Sequence, residues 1–299
     1  MATSARILAD SVYYDQHNKG HRLTTFEVIY QRFIHSELMT HRALSRNSGS
    51  SRAIPIEKML DRIVKDPAMP VYWGSNRPGM QAGAELDGPD LRAARIQWLL
   101  ARDSAVEHAW KLHSYGLHKQ LVNRVVEPWM WITVLVTATD FANFFTQRCH
   151  PDAQPEIRLV AELMKKAYNE SVPREAKQGE WHVPLIQNDE IFSDLEELKQ
   201  ISVARCARVS YLTHNGERDH SKDIELYNRL VSGGANGHWS PFEHVATPDP
   251  DDEYCGQLTG NFTGWRQFRK YFPQENIDQP SYLRPDVPAI ELPDSFLSP

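Results

Sequence analysis

The chain has 299 residues, 41% of them hydrophobic, and carries a net charge of −6 from 33 basic and 39 acidic side chains. That is enough apolar material for a substantial core. With no long run of either sign there is no electrostatic footprint for a phosphate backbone, so polymeric nucleic acid is not expected as a partner, whereas a small anion needs only a few converging arginines. No window approaches the ~18 uninterrupted apolar residues of a membrane span, and the opening residues MATSARILADSVYYDQ lack a targeting pattern. Three cysteines (Cys149, Cys206, Cys255) form no CxxC, so the expectation is a cytoplasmic protein without a disulfide framework or a metal site.

In chain order, LTTFEVIY (23–30) alternates and is rich in β-branched and aromatic residues, which predicts a strand. QRFIHSELMTHRAL then takes helical spacing through Phe33, Ile34, Leu38 and Met39. PIEKMLDRIV (55–64) predicts a short helix opened by Pro55, and 65–88 an irregular loop placed to cover a site. The longest helix is expected over 89–115, with Ile96, Leu99, Leu100, Val106 and Trp110 on one face and Gly116 as its stop. HKQLVNRVVEP continues helically, and WMWITVLVTAT (129–139) reads as a strand buried on both sides. DFANFFTQR and DAQPEIRLVAELMKKAYNES return to helix, and 171–190 is a loop with Pro173, Gly179 and Pro184. SDLEELKQISVARCARVSYL and DHSKDIELYNRLVSGG predict two further helices. Arg266, Arg269 and Lys270 in GNFTGWRQFRKYF (260–272) read as a solvated face, with a lid over an anionic site as the alternative. The tail after Asp278, with five prolines, is expected to be extended and partly disordered.

The densest polar cluster is THRALSRNSGSSR (40–52). A helix ending in a Gly/Ser stretch offers backbone N–H groups and hydroxyls, and Arg52 adds a planar fork, which suits a phosphate; by itself the same composition also describes a solvated loop. His17 and His21 lie four apart without further ligand types nearby, so no metal is expected there. No GxGxxG opens a helix after a strand, which speaks against a Rossmann dinucleotide site.

The order of residues in this cluster, His41-Arg42-x7-Ser50 followed by Arg52, resembles the R-H-R-x7-S signature of the flavin-dependent thymidylate synthases (ThyX family). TATDFANFFTQRCHPDAQPEIRLVAELM (137–164) is similar to that family's N-x-R-S-L-x-N-F-L-x-L-R…A-Q-W-E-I segment through Asn143, Phe144, Arg148, Ala153, Gln154, Glu156 and Ile157. ARCARVSY (204–211) and GHWSPFEH (237–244) resemble A-x-R-V-S-F and H-x-[ST]-P-F-E-H. In the family this third region precedes the first, so the resemblance implies a circular permutation with its junction in the loop at 171–190, and places residues near Val245 beside residues near Arg22. It covers about residues 22–170 and 200–245.

The resemblance implies an α+β fold with a central antiparallel β-sheet flanked by helices, in one catalytic domain over 1–283 with an extended tail at 284–299. It implies FAD as cofactor, NADPH and methylenetetrahydrofolate as co-substrates, dUMP as the methyl acceptor, and a homotetramer whose sites draw on several subunits. By the same carry-over Arg148 is the catalytic residue and contacts the pyrimidine. Ser50, Ser51 and Arg52 hold its phosphate, with Arg124 of V-N-R-V-V-E-P reaching it from a neighbouring subunit and Glu37 standing where the family usually has Gln. His41, Arg42, Asn47, Asn143, Ser210, His238, Ser240 and Glu243 are the implied flavin contacts. Thr40 replaces the first Arg of R-H-R, Ser48 a common Glu, and Thr137 and Thr139 the Asn and Arg of N-x-R. These departures keep open a sister enzyme acting on dCMP or leaving a hydroxymethyl group, and a nucleotide-binding protein that lost turnover.

Overall fold

Two long strands open the chain in the computed structural model, which describes residues 1–210 (Ser210 by its backbone), 218–233, 237–249 and 260–272. β1 (Ser4–Tyr14) and β2 (Gly20–Gln31) form an antiparallel hairpin with a bulge between Ile7 and Ala9. In its turn the Asp15 carboxylate accepts the N–H groups of His17 and Lys19, and Asn18 takes the left-handed conformation that its short side chain tolerates. β1 was not expected; Ala, Ser and Asp interrupt its β-branched residues, so its strand character comes from pairing rather than propensity. After β2 the chain makes a 3-10 turn and only a five-residue helix, α1 (His35–Met39), shorter than the helical spacing predicts. Arg46 explains the early stop by donating to the carbonyls of Leu38, Met39 and His41, which leaves the chain free to enter β3 (Ser45–Ser48).

α2 (Ile56–Lys65), α3 (Gly88–Ser114) and α4 (Lys119–Val122) follow, then a 3-10 segment over Asn123–Trp129 and β4 (Trp131–Ala138). The predicted apolar face of α3 is corrected: Ile96, Leu100 and Trp110 are exposed, while Val106 and Ala109 pack on α2 and the 3-10 segment. Trp98, Leu112 and Leu117 pack partly buried against the same cluster. α5 (Ala142–Arg148), α6 (Pro155–Glu170), the two-residue β5 (Arg174–Glu175), α7 (Leu195–Ala207), α8 (His220–Val231), β6 (Ala246–Pro248) and β7 (Trp265–Gln267) complete the described elements.

The sheet runs β3-β4-β2-β1-β5, antiparallel throughout except for the short β1–β5 pair. β4 is buried on both faces, as its unbroken apolar run implies. Val134 and Val136 join Phe26, Val28 and Tyr30 under α5 and α6, while Leu135 faces Cys206 and Val209 at the end of α7. The fold is therefore α+β with a central sheet flanked by helices. On the α7 side of the sheet a third layer, which holds the chain around His182 and the 3-10 turn Ser240–His244, is tied on by polar side chains. Thr25 and Thr137, opposite each other in the β2–β4 register, share a 2.7 Å hydrogen bond. The buried His182 joins Thr25 (2.8 Å) to Ser11 (3.0 Å), and His244 Nδ1 meets Thr137 at 2.7 Å.

Ala246 and Leu23 lie in one apolar cluster with Ala176, Phe262 and Trp265, so the chain near Val245 does sit beside the start of β2. Trp265 is fully buried and its indole N–H donates to the His21 carbonyl. This corrects the solvated-face reading of the 260–272 segment: β7 pairs with β6, Arg266 bridges to Asp249, and Arg269 pairs with Glu243. The tail beyond Asp278 and Cys255 lie outside the described residues. No described helix is long and apolar enough to cross a membrane.

Two outcomes follow from this packing. Trp265→Ala should lower unfolding stability by about 3–5 kcal/mol in urea titration; a loss under 1 kcal/mol would mean the C-terminal segment is not integral to the core. Burial holds both His182 and His244 down at about 3, well below their ordinary 6.5. The unfolded chain therefore binds more protons than the folded one between those values. Stability from this source is intact above pH ~6.5 and declines as pH falls, by up to about 1.4 kcal/mol per pH unit and histidine. Urea midpoints should drop accordingly, with a shallower slope for His244→Gln; equal slopes in the variant and the parent would count against it.

Candidate functional site

The end of α1 and the end of α5 meet through Arg148. Arg148, in the last turn of α5, donates from Nε to His41 Nε2 at 2.8 Å and from its terminal nitrogen to Thr40 Oγ1 at 3.1 Å. A guanidinium only donates, so Nε2 is the acceptor and the ring proton resides on Nδ1. The imidazole is buried, stands edge-on to Phe144 at 4.9 Å, and is held below its ordinary range by burial first and then by the charges of Arg148 and Arg46. His41 is thus a neutral seat for Arg148, and positive charge at this spot comes from arginines. Glu37 contributes its backbone carbonyl, which takes the Thr40 hydroxyl at 2.8 Å.

A second junction forms on β3. Asn47 donates from its amide to the Cys206 carbonyl at 2.7 Å and accepts from Ser240 Oγ at 3.3 Å, joining β3 to α7 and to the 3-10 turn Ser240–His244. Glu243, on the same turn, pairs with Arg269 of the C-terminal segment, and its charge also acts on Arg46. His238 is exposed, and its backbone N–H is bound to the Leu230 carbonyl at 3.0 Å. The side chain of Ser210 lies outside the described residues.

The third element is the turn after β3. Gly49 comes close enough to the Val209 carbonyl that a Cβ would stand 3.3 Å from it. Beyond it, Ser50 Oγ accepts the Arg52 N–H at 3.3 Å, and the Arg52 side chain is exposed. Ser51 is buried, its carbonyl held by the Asn123 amide at 2.7 Å and its hydroxyl donating to Glu127 at 3.3 Å. Glu127 also receives Arg124 at 3.2 Å and Arg32 at 3.0 Å. Arg32, Asn123 and Glu127 were not singled out in the sequence. Asn123 and Glu127 flank Arg124 in V-N-R-V-V-E-P, and that local density of polar groups before an apolar strand was the available signal.

The structure therefore joins His41 to Arg148, Asn47 to Ser240, and Ser51 to Arg124 through Glu127. Arg42 on its turn and Asn143 on α5 are exposed, and neither side chain has a hydrogen-bond partner among the described residues. No group of three or more candidate metal ligands occurs among the described residues.

The family described as thymidylate synthase complementing protein matches residues 19–174, just over half of the chain, including β2, the α1–β3 turn, β4 and α5. Two solved structures of the UMP/dUMP methylase PolB from Streptomyces cacaoi are similar. The one bound with 5-Br dUMP is 23% identical with a TM-score of 0.42, over 50% of this chain and 68% of that one. The one bound with 5-Br UMP is 17% identical with a TM-score of 0.46, over 56% of this chain and 89% of that one. No curated protein matches. The chain belongs to the thymidylate synthase complementing protein family, that of the flavin-dependent thymidylate synthases its motifs resemble.

Proposed function

We propose that the protein is a flavin-dependent thymidylate synthase that methylates dUMP to dTMP, with methylenetetrahydrofolate as one-carbon donor and NADPH as reductant. The observation that carries this reading is the contact between Arg148 and His41, two motif residues 107 positions apart. The junction of Asn47 with Ser240 supports it from a third stretch. The proximity of Ala246 to Leu23 supports the permuted order, and so does a family match that ends at residue 174, before the third motif.

The residues fit a flavin through open donors. Arg42, Asn143 and His238 are exposed, while Asn47, Ser240 and Glu243 engage one another or their neighbours and so shape the wall. When bound, reduced flavin supplies the reducing equivalents that turn a transferred one-carbon unit into a methyl group. The chain's own residues bind and polarise the nucleotide. Ser50, Ser51 and Arg52 with Arg124 hold the phosphate by charge-assisted bonds. Arg148, held in orientation by neutral His41 and by Thr40, stabilises negative charge that develops on the pyrimidine as C5 becomes nucleophilic. The assembly is read as a cytoplasmic homotetramer and the catalytic domain as residues 1–283 with a tail at 284–299; Arg124, which the family resemblance offers across subunits, joins the Ser51 cradle of its own chain through Glu127.

Thr40, Ser48 and Glu37, which depart from the family motif, favour as second reading a sister enzyme on dCMP or one leaving a hydroxymethyl group. Mass spectrometry of products from dUMP and dCMP separates the two.

Purified protein reconstituted with FAD should show flavin absorbance that shifts on dUMP titration, and should oxidise NADPH. Arg148→Ala should keep the flavin yet lose methylation about a hundredfold or more. A colourless protein that oxidises no NADPH with dUMP present would overturn the reading, and full activity in Arg148→Ala would remove Arg148 from its assigned role.

A further inference from the structure

The cradle after β3 contains a carboxylate where an anion is to bind. One oxygen of Glu127 collects the Ser51 hydroxyl at 3.3 Å, the Arg32 guanidinium at 3.0 Å and the Arg124 guanidinium at 3.2 Å. These are the geometry and donor types of a bound phosphate oxygen: two planar cations and a hydroxyl converging on one anionic atom. We propose that Glu127 is an internal stand-in for phosphate, holding this donor set until a nucleotide phosphate displaces it; this rests on the assignment of the cradle to the nucleotide phosphate.

Three observations favour displacement over a fixed brace. The Glu127 side chain is 25% exposed and that of Arg124 55%, so the carboxylate has a route to solvent. The backbone of the cradle does not hang on Glu127, because the Asn123 amide separately holds the Ser51 and Ile54 carbonyls at 2.7 and 3.1 Å. And a phosphate dianion reaching the same donors would lie in contact with the carboxylate, where two anions repel strongly. Arg32, Arg52 and Arg124 carry three positive charges against the one negative charge of Glu127, so once the carboxylate turns outward the arginines hold more than enough charge to balance a phosphate dianion.

The stand-in keeps half-buried Arg32 and the more exposed Arg124 paired with a carboxylate, and it opposes weaker anions. A monoanion or a neutral nucleoside gains too little from the donors to expel a carboxylate, whereas a phosphate dianion offers more charge and more acceptor oxygens than it replaces. Glu127 is in this sense a selectivity element for phosphorylated ligands rather than a catalytic residue.

Calorimetric titration of the full chain with dUMP, inorganic phosphate and deoxyuridine tests this, comparing the parent with Glu127→Gln and with Glu57→Gln, a surface charge control on α2. Glutamine retains the size and an acceptor oxygen but not the charge. Glu127→Gln should bind dUMP and phosphate about five- to tenfold more tightly, as loss of two competing ion pairs allows, with deoxyuridine unchanged and Glu57→Gln like the parent. In turnover, KM for dUMP should fall with kcat nearly constant. If the parent binds dUMP and Glu127→Gln binds it equally or more weakly, Glu127 is a brace and the proposal fails alone. Equal tightening for deoxyuridine also overturns it, since the gain would not involve the phosphate. If neither protein binds dUMP, the stand-in and the nucleotide assignment fall together.

Discussion

A four-residue strand sets the geometry on which the site depends. β3 pairs with β4 on one edge, which fixes Ser45 opposite Thr137 and Asn47 opposite Leu135. From that register Asn47 projects into the third layer and binds the Cys206 carbonyl and Ser240, while Ser45 binds Asn261 and Gln267 of the C-terminal segment. Because side chains alternate along a strand, a slip of one residue would turn both to the opposite face and detach every one of these partners. Apolar contact alone would not specify that register; buried polar groups that must find partners do.

The same economy of partners governs the charges. Arg46 caps α1 through three carbonyls and feels Glu243, which in turn holds Arg269. Burial lowers Arg46 and Glu243 opposes that effect, so the charge is kept in a place where an isolated cation would be costly. Next to it His41 remains uncharged and receives Arg148. A protonated His41 would have no lone pair on Nε2 for the guanidinium and would repel it, so desolvation of the imidazole and orientation of Arg148 are one condition.

Much of the scaffold was legible in the sequence. β2 and β4 follow from alternation and from an unbroken apolar run, and α2 and α6 from helical periodicity closed by recognisable ends. α3 was legible as a helix but not by its face, because Ile96, Leu100 and Trp110 are spaced as a core stripe yet remain exposed in the single chain. The motif residues were legible through their resemblance, and their pairing was not: nothing local tells Ser51 that Glu127 lies within reach 76 positions later. The role of the 260–272 segment was hidden for the same reason. A cluster of basic side chains near a chain end has the composition of a solvated face, and only the positions of Asp249 and Glu243 turn it into a packed strap.

The departures from the family motif acquire a structural meaning when their partners are traced. Thr137 bonds Thr25 and His244 in the buried polar chain across the sheet. Thr139 accepts the N–H of Thr263 at 3.0 Å, and Thr40 receives Arg148. A long amide at 137 or a guanidinium at 139 would need room and partners that His244 and the 260–272 segment now occupy. The threonines and the C-terminal segment are therefore parts of one arrangement. Short hydroxyls make space for the added strap, and the strap and its neighbours satisfy the hydroxyls. A chain that had merely decayed from the motif would have no reason to pair Thr40, Thr137 and Thr139 each with a specific partner.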